Sequence, residues 1–247
     1  MRIDLYNAGK ADVILFRTDS SAVLIDTGHD STAREVTAWL KGMNVKTIDR
    51  LIITHFDRDH VGGAEAVLKN FRVWEIFSSY VTRQSTDLRP YVRVLQKNNI
   101  TPVIIRDEEV FTLDGVTYQI IGASRAYSTE MSNNSSLITA VRYGECKYLF
   151  MGDAHNERIE EFLDSYDMHA DFLKVPYHGY YLTALEDLLQ SVGPSDAVIT
   201  NGRGDPPKEE ITATLAVLRE YGVKTWQTVN GTVTVRCNPN TYTITQR

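Results

Sequence analysis

The chain has 247 residues, of which 43% are hydrophobic and 23% charged, and its formal net charge is −6. This composition supplies enough apolar surface for a sizeable core, and it argues against long disorder and against a broad basic face for duplex DNA. No stretch approaches the roughly 18 apolar residues of a membrane span, and the N-terminus does not resemble a signal peptide. We therefore expect a cytoplasmic protein with no membrane partner.

In the first half of the chain, short apolar runs bounded by turn residues alternate with segments of helical periodicity. The predicted strands cover residues 3–6, 12–17, 22–26, 50–54, 73–78 and 103–105. The predicted helices cover residues 31–41, 64–69 and 88–97, and a polar loop is predicted over 55–63.

The second half repeats this alternation. Strands are predicted at 116–121, 136–141, 148–151, 171–175, 197–200, 225–228 and 232–235, and helices at 156–163, 182–189 and 209–221. Asn230-Gly231 is a typical hairpin dipeptide and predicts a turn between the last two strands. No linker divides the chain, so residues 1–247 are predicted to form one α/β domain of two sheets packed face to face with helices outside.

The densest cluster of chemically capable residues follows the buried strand that ends at Thr54. The segment reads HFDRDHVGG, and it places four ligand-type side chains within six residues: His55, Asp57, Asp59 and His60. A loop at a strand end allows such side chains to converge, and the two glycines let the backbone turn into the next helix. This pattern indicates metal binding more strongly than a solvated polar loop.

Two later positions extend the prediction. Asp153 follows the apolar strand that ends in Gly152, where it could cap a helix or lie as an anion between two cations about 3.5–4 Å apart. His178 follows a strand and a proline in FLKVPYHG. His29, His155 and His169 have no such supporting context. We expect His169 on the surface, whereas His29 follows LIDTG directly and could approach the site.

Taken together and in this order, these motifs resemble metallo-β-lactamase fold hydrolases, and within them the soluble domain of ComEC-type competence proteins. The matching segments are VLIDTG, HFDRDHVGG, NSSL, GDA, LKVPYHGY and the terminal NGTVTV. The resemblance covers nearly the whole chain. It implies a four-layered αββα sandwich with the site at one edge between the sheets.

The resemblance also implies a dinuclear metal site. It assigns the first ion to His55 and Asp57 and the second to Asp59, His60 and His178, with Asp153 bridging them. Asp59 and Asp153 are the residues to which we assign catalytic roles. Asp26 would be structural and hold the ligand loop.

Three positions depart from the family pattern. Residues 61–154 contain no histidine, and Asn134 or Ser135 stands where a further ligand is expected, so the first ion would be weakly held. Tyr177 replaces the first of two paired histidines, and Asp205 replaces the histidine of a later Gly-His-Pro.

Three functions remain open from these residues. We favour a phosphodiesterase that uses a metal-bridging hydroxide, with an anionic small molecule or a nucleic-acid phosphodiester as substrate. The alternatives are hydrolysis of an amide, thioester or lactone at the same ions, and a binding protein with an impaired site. The carboxylate at Asp57 shifts the preferred ion from Zn²⁺ towards Mn²⁺. The candidate substrate-binding residues are Asn134, Lys174, Tyr177, Asp205 and, for a phosphate, Arg203.

Overall fold

A computed structural model describes residues 1–82, 86 and 88–247, and within these the strands form two sheets. The first sheet has the order β15-β14-β1-β2-β3-β4-β5-β6 and the second β13-β12-β11-β10-β9-β8-β7. The strands of the first half are β1 Arg2–Leu5, β2 Ile14–Arg17, β3 Ala22–Ile25, β4 Thr47–Ile53, β5 Arg72–Ser78 and β6 Val103–Ile104. The later strands are β7 Glu108–Leu113, β8 Val116–Ile121, β9 Ile138–Tyr143, β10 Cys146–Phe150, β11 Phe172–Lys174, β12 Asp196–Ile199, β13 Lys224–Gln227, β14 Val233–Cys237 and β15 Tyr242–Gln246.

Helices cover the outer faces of both sheets. They are α1 Ala33–Gly42, α2 Arg58–Val61, α3 Ala64–Asn70, α4 Arg89–Asn98, α5 Asn156–Ser165, α6 Leu185–Val192 and α7 Lys208–Glu220. One apolar cluster joins α1, α3 and α4 to the first sheet, and another joins α5, α6 and α7 to the second. A third cluster lies between the sheets and includes Phe16, Tyr118, Phe150 and Phe172. The layers are therefore α, β, β and α, which confirms the predicted four-layered sandwich.

The hairpin turn predicted at Asn230-Gly231 is wrong. β13 pairs in parallel with β12 in the second sheet, whereas β14 pairs with β1 and β15 in the first. The dipeptide therefore lies where the chain crosses between sheets, and Gly231 has a φ of 129° beside the chain end at Arg247. The local turn signal did not reveal which partner each flanking strand would find.

β7 and β15, which are both at sheet edges, were not predicted. Their residues alternate between half-buried and exposed, and many of them are polar, so their apolar content is low. The short helix α2, which was not predicted either, forms inside the loop predicted over 55–63. None of the helices in the described part of the chain is long and apolar enough to cross a membrane.

The topology brings five strand ends to one edge of the sandwich. β3 and β4 run parallel in the first sheet, and β10, β11 and β12 run parallel in the second. The residues that follow these strands are Asp26, Thr54 and His55, Asp153, His178 and Thr200. Crevices at the carboxyl ends of parallel strands are where α/β sheets commonly hold ligands.

Candidate metal centre

The ligand loop after β4 is held in place by Asp26. This residue is fully buried with a φ of 56°, and its carboxylate accepts hydrogen bonds from Thr54 N at 2.8 Å and Thr54 Oγ1 at 2.7 Å. The two glycines after α2 allow the loop to close on the same turn. A Cβ on Gly63 would lie 2.2 Å from the carbonyl oxygen of Thr27, and one on Gly62 would lie 2.5 Å from Asp30 N. The structural role that the resemblance implies for Asp26 agrees with these contacts.

Four of the predicted ligands converge in space. His60 Nε2 and His178 Nε2 are 3.2 Å apart, and Asp153 Oδ2 lies 3.2 Å from the first and 3.1 Å from the second. Asp59 Oδ2 completes the group at 3.5 Å from His178 Nε2. Ligands about 2.0–2.1 Å from a tetrahedral Zn²⁺ are separated by roughly 3.3–3.4 Å. The spacing of these four atoms therefore fits one divalent ion.

The tautomers of the two histidines also fit an ion. His60 Nδ1 lies 2.7 Å from Asp26 Oδ2, and His178 Nδ1 lies 2.7 Å from the carbonyl oxygen of Thr200. Both Nδ1 atoms then donate a proton, which leaves each Nε2 with a lone pair directed into the cluster. A histidine whose other nitrogen donates to a carboxylate or carbonyl is the usual arrangement at metal sites.

Without an ion, protons take its place between these groups. Burial alone would lower the pKa of His178, but Asp153 and Asp59 outweigh burial and raise this pKa to about 9. The pKa of His60 is likewise raised well above its usual value, because Asp153 and Asp26 outweigh its burial. Burial would raise the pKa of Asp153, yet the two histidines hold it well below the usual range. The closely spaced carboxylates of the cluster thus favour the binding of a cation.

The set assigned to the first ion is looser. His55 Nε2 lies 4.0 Å from Asp57 Oδ2. The hydroxyl of Ser136 lies 3.3 Å from His55 Nδ1, and the hydroxyl of Ser132 lies 3.1 Å from Asp57 Oδ1. His55 Nε2 and Asp153 Oδ1 are both buried and have no hydrogen-bond partner in the described part of the chain. These two orphaned ligand atoms fit an ion, and Asp57, with Oδ2 4.0 Å from His55 Nε2, is the remaining protein ligand predicted for it. The bridging role of Asp153 stays a prediction.

Lys174 does not lie where a substrate could reach it. Its side chain is fully buried, and its ammonium lies 2.7 Å from Asp12 Oδ2, 2.8 Å from the carbonyl oxygen of Gly152 and 3.6 Å from Asp153 Oδ1. The expectation that Lys174 holds a phosphate is therefore wrong. The Lys174 ammonium instead supports Asp153 from within the protein. The charge of Lys174 is neutralised by Asp12, which was not singled out in the sequence.

The other candidate substrate residues are placed unequally. Tyr177 faces the site from a strained turn, with a φ of 48° followed by 51° at His178. Asn134 is buried, and its amide is engaged at the start of α5 with His155 N at 2.9 Å and Glu157 Oε2 at 3.0 Å, so a ligand role for its amide oxygen is not supported.

The loop after β12 carries the last two candidates. Asp205 accepts a hydrogen bond of 2.8 Å from the Tyr180 hydroxyl, and Arg203 is exposed. Asp205 thus lies beside Tyr180, whereas no ion pair or hydrogen bond found among the described residues links Arg203 to the ligand cluster.

Two residues that the sequence analysis passed over lie at the site. The ring of His155 packs 4.1 Å from that of Tyr177, and both line a cleft of about 360 Å³ that also reaches Asp57 and Asn134. The sequence signal that could have pointed to His155 is its position two residues after Asp153. Lys10 lies 2.7 Å from Asp59 Oδ2 at the open side, and no sequence pattern pointed to it.

The chain is similar to ComEC-type competence proteins. It is 23% identical to ComE operon protein 3 of Bacillus subtilis (strain 168) over 95% of its own length and 33% of that protein. It is 24% identical to Competence protein ComA of Neisseria gonorrhoeae, over 92% of this chain and 30% of that protein. The chain thus spans about a third of the length of these relatives.

Solved structures and family models agree on the fold. The structure of a CmlA beta-hydroxylase E377D mutant superposes with a TM-score of 0.61 at 12% identity, covering 96% of this chain and 54% of the other. The model of the metallo-β-lactamase superfamily matches residues 6–202, well over half of the chain. The predicted family is confirmed: the chain belongs to the metallo-β-lactamase superfamily, whose members are generally metal-dependent hydrolases.

Proposed function

We propose that the chain is a metal-dependent phosphodiesterase that acts on an anionic small molecule or a nucleic-acid phosphodiester. Its main support is the spacing of His60, His178, Asp153 and Asp59: the first three ligand atoms are 3.1–3.2 Å apart, Asp59 Oδ2 is 3.5 Å from His178 Nε2, and all four atoms lie within 4.8 Å of one another. A bound divalent ion supplies Lewis acidity and lowers the pKa of water towards neutrality.

Charge balance favours an anionic substrate. Together with one hydroxide, the three predicted carboxylate ligands, Asp57, Asp59 and Asp153, would carry four negative charges and balance the four positive charges of two divalent ions. The ammonium of Lys10 adds a further positive charge at the opening. A phosphodiester anion is therefore attracted to the site, whereas a neutral ester gains nothing from this excess charge.

The proposed roles of the ligand side chains differ with their burial. His60 and His178 are fully buried and are oriented by Asp26 and Thr200, so they hold an ion without rearrangement. Asp59 is the ligand carboxylate nearest to the opening within the four-residue cluster, with 14% of its side chain exposed. In this proposal Asp59 orients a water molecule at the opening.

We propose Mn²⁺ or Zn²⁺ as the resident ion, with Mn²⁺ preferred. The donor set consists of imidazole nitrogens and carboxylate oxygens without a thiolate, a mixture that suits Mn²⁺ better than an all-histidine set would. Elemental analysis after reconstitution with each metal separately would measure the preference.

A substrate panel tests the function. Protein reconstituted with Mn²⁺ is assayed on bis-p-nitrophenyl phosphate, single-stranded DNA, a cyclic dinucleotide, a lactone and a β-lactam. DNA is included because the similar proteins are named for competence. Turnover of a phosphodiester that is lost with His178→Ala is expected. Turnover of the lactone or β-lactam alone would favour acyl hydrolysis, and no turnover with bound metal would favour a binding protein.

A further inference from the structure

Lys10 is held at the open side of the metal cluster by the fold itself. It lies between β1 and β2, and its ammonium is 2.7 Å from Asp59 Oδ2 while a quarter of its side chain is exposed. A Cβ on Gly202 would lie 2.8 Å from Lys10 N, so the loop after β12 packs directly on the Lys10 backbone. The backbone is thus fixed from both sheets, and the ammonium remains within reach of a ligand from solvent.

Lys10 and Lys174 differ in how their charges are used. Among the ion pairs of the described residues, these two lysines contact carboxylates of the four-residue cluster. Lys174 is buried and neutralised by Asp12 at 2.7 Å. Within the described residues, the ion pair of Lys10 is with Asp59, a carboxylate that the cluster offers to an ion as well.

This shared carboxylate makes Lys10 available for a substrate. A divalent ion in the cluster would partly neutralise the carboxylate of Asp59, so the attraction between Asp59 and Lys10 weakens when the ion is bound. An anion arriving at the opening then provides the ammonium with a charge-assisted hydrogen bond. A neutral ester offers no such partner.

We propose that Lys10 is a specificity-determining residue that donates a hydrogen bond to a non-bridging phosphoryl oxygen and thereby selects anionic over neutral substrates. The inference rests on the proposed function of the site. Lys10 forms and breaks no covalent bond in this role, and it keeps its proton throughout.

The first test measures anion binding directly. Inorganic phosphate is titrated into Mn²⁺-loaded protein by calorimetry for the wild type, Lys10→Gln, Lys10→Arg and the exposed control Lys46→Gln. We expect Lys10→Gln to weaken phosphate binding by about tenfold or more, the usual effect of losing a hydrogen bond to a charged group. Lys10→Arg and Lys46→Gln should stay close to the wild type. Equal binding by Lys10→Gln, or no phosphate binding by the wild type, overturns the proposal.

The second test separates selectivity from support of the metal. For Lys10→Gln, kcat/KM should fall for bis-p-nitrophenyl phosphate but not for p-nitrophenyl acetate, and Mn²⁺ affinity should be unchanged or tighter because a competing cation is gone. Weaker Mn²⁺ binding would make Lys10 a support of Asp59 and would refute the proposal. If the wild type hydrolyses no phosphodiester, the proposed function fails, while a Lys10-dependent loss of phosphate binding still supports this role.

Discussion

Replacing Asp26 by asparagine tests whether the metal centre depends on the carboxylate behind His60. Asparagine tolerates the left-handed backbone at a φ of 56°, so the substitution changes the side-chain chemistry and leaves the turn intact. The carboxylate now accepts from Thr54 N, Thr54 Oγ1 and His60 Nδ1 at 2.7–2.8 Å. An amide has one acceptor oxygen, so its NH₂ group must face either the His60 ring or the Thr54 N–H.

Each orientation has a calculable cost. If the NH₂ group faces His60, the ring adopts the other tautomer and loses the lone pair at Nε2 that an ion needs. Disrupting such a partner commonly lowers metal affinity by about 10–100-fold, or about 1.4–2.7 kcal/mol. If it faces Thr54, a buried N–H loses its acceptor, which costs about 1–3 kcal/mol of stability. We therefore expect Asp26→Asn to lower metal affinity, metal-free stability, or both.

Competition with a chromophoric chelator measures the affinity, and thermal unfolding of metal-free protein measures the stability. Asp164→Asn, on the exposed face of α5, is the matched control and should change neither. If Asp26→Asn binds metal within twofold of the wild type and unfolds at the same temperature, the assignment of Asp26 as the orienting partner of His60 is refuted.

Four further outcomes follow from the same contacts. Asp153→Asn should reduce phosphodiester turnover by at least roughly a hundredfold with the fold retained by circular dichroism, because a charge in contact with both buried histidines is removed; near-wild-type turnover would contradict its catalytic role. The folded-state pKa of His178 is raised to about 9, so its proton stabilises the metal-free fold fully below about pH 6.5, and this contribution is lost as the pH rises through 9. A metal ion must displace that proton, so metal affinity should increase from pH 7 to 9 with measurable proton release; a flat profile would count against it. Titration of metal-free protein should show two unequal affinities, with the tighter one lost on His178→Ala and kept on His55→Ala; the reverse pattern would show that the looser set binds first. Lys174→Met should destabilise the protein by about 3–5 kcal/mol in denaturant unfolding, because the buried Asp12 loses its ammonium partner and keeps only the hydrogen bond from Thr200 Oγ1 and the neighbouring His178 among the described residues. The double variant with Asp12→Asn should recover part of the loss; no recovery would mean that Lys174 acts mainly through another contact.

One peptide carried most of the sequence evidence for the predicted site, and two of its four residues, Asp59 and His60, lie in the four-residue cluster of the structure. His55, Asp57, Asp59 and His60 stand within six residues after a buried strand, so their type and spacing indicate a site before any long-range contact is known. The layer order could likewise be predicted, because the segments between the strands show helical periodicity in both halves. The resemblance supplied what spacing could not, namely that Asp153 and His178 join this loop.

Predictions from the sequence were wrong or absent where the interaction partner of a side chain lies far away along the chain. Lys174 ends an apolar strand, and its partner Asp12 belongs to the other half of the chain, so no local pattern indicated that this charge is neutralised inside the protein. Lys10 was missed for the same reason, since Asp59 reaches it only through folding. The Asn230-Gly231 error is similar: a turn dipeptide reports local geometry and not the sheet to which each strand belongs.

The way each ligand is supported suggests how folding and metal binding are related. His60 is backed by Asp26, His178 by Thr200, and Asp153 by Lys174, so most polar contacts behind the ligands are complete within the protein. Without an ion, the facing Nε2 atoms of His60 and His178 conflict, and protons can relieve this conflict because the pKa values of both histidines are raised. Among the described residues, His55 Nε2 and Asp153 Oδ1 also lack hydrogen-bond partners. The apolar cluster between the sheets holds the two halves together independently of these groups. Metal binding in this chain therefore competes mainly with protons, and not with unfolding as in small zinc domains whose fold depends on the ion.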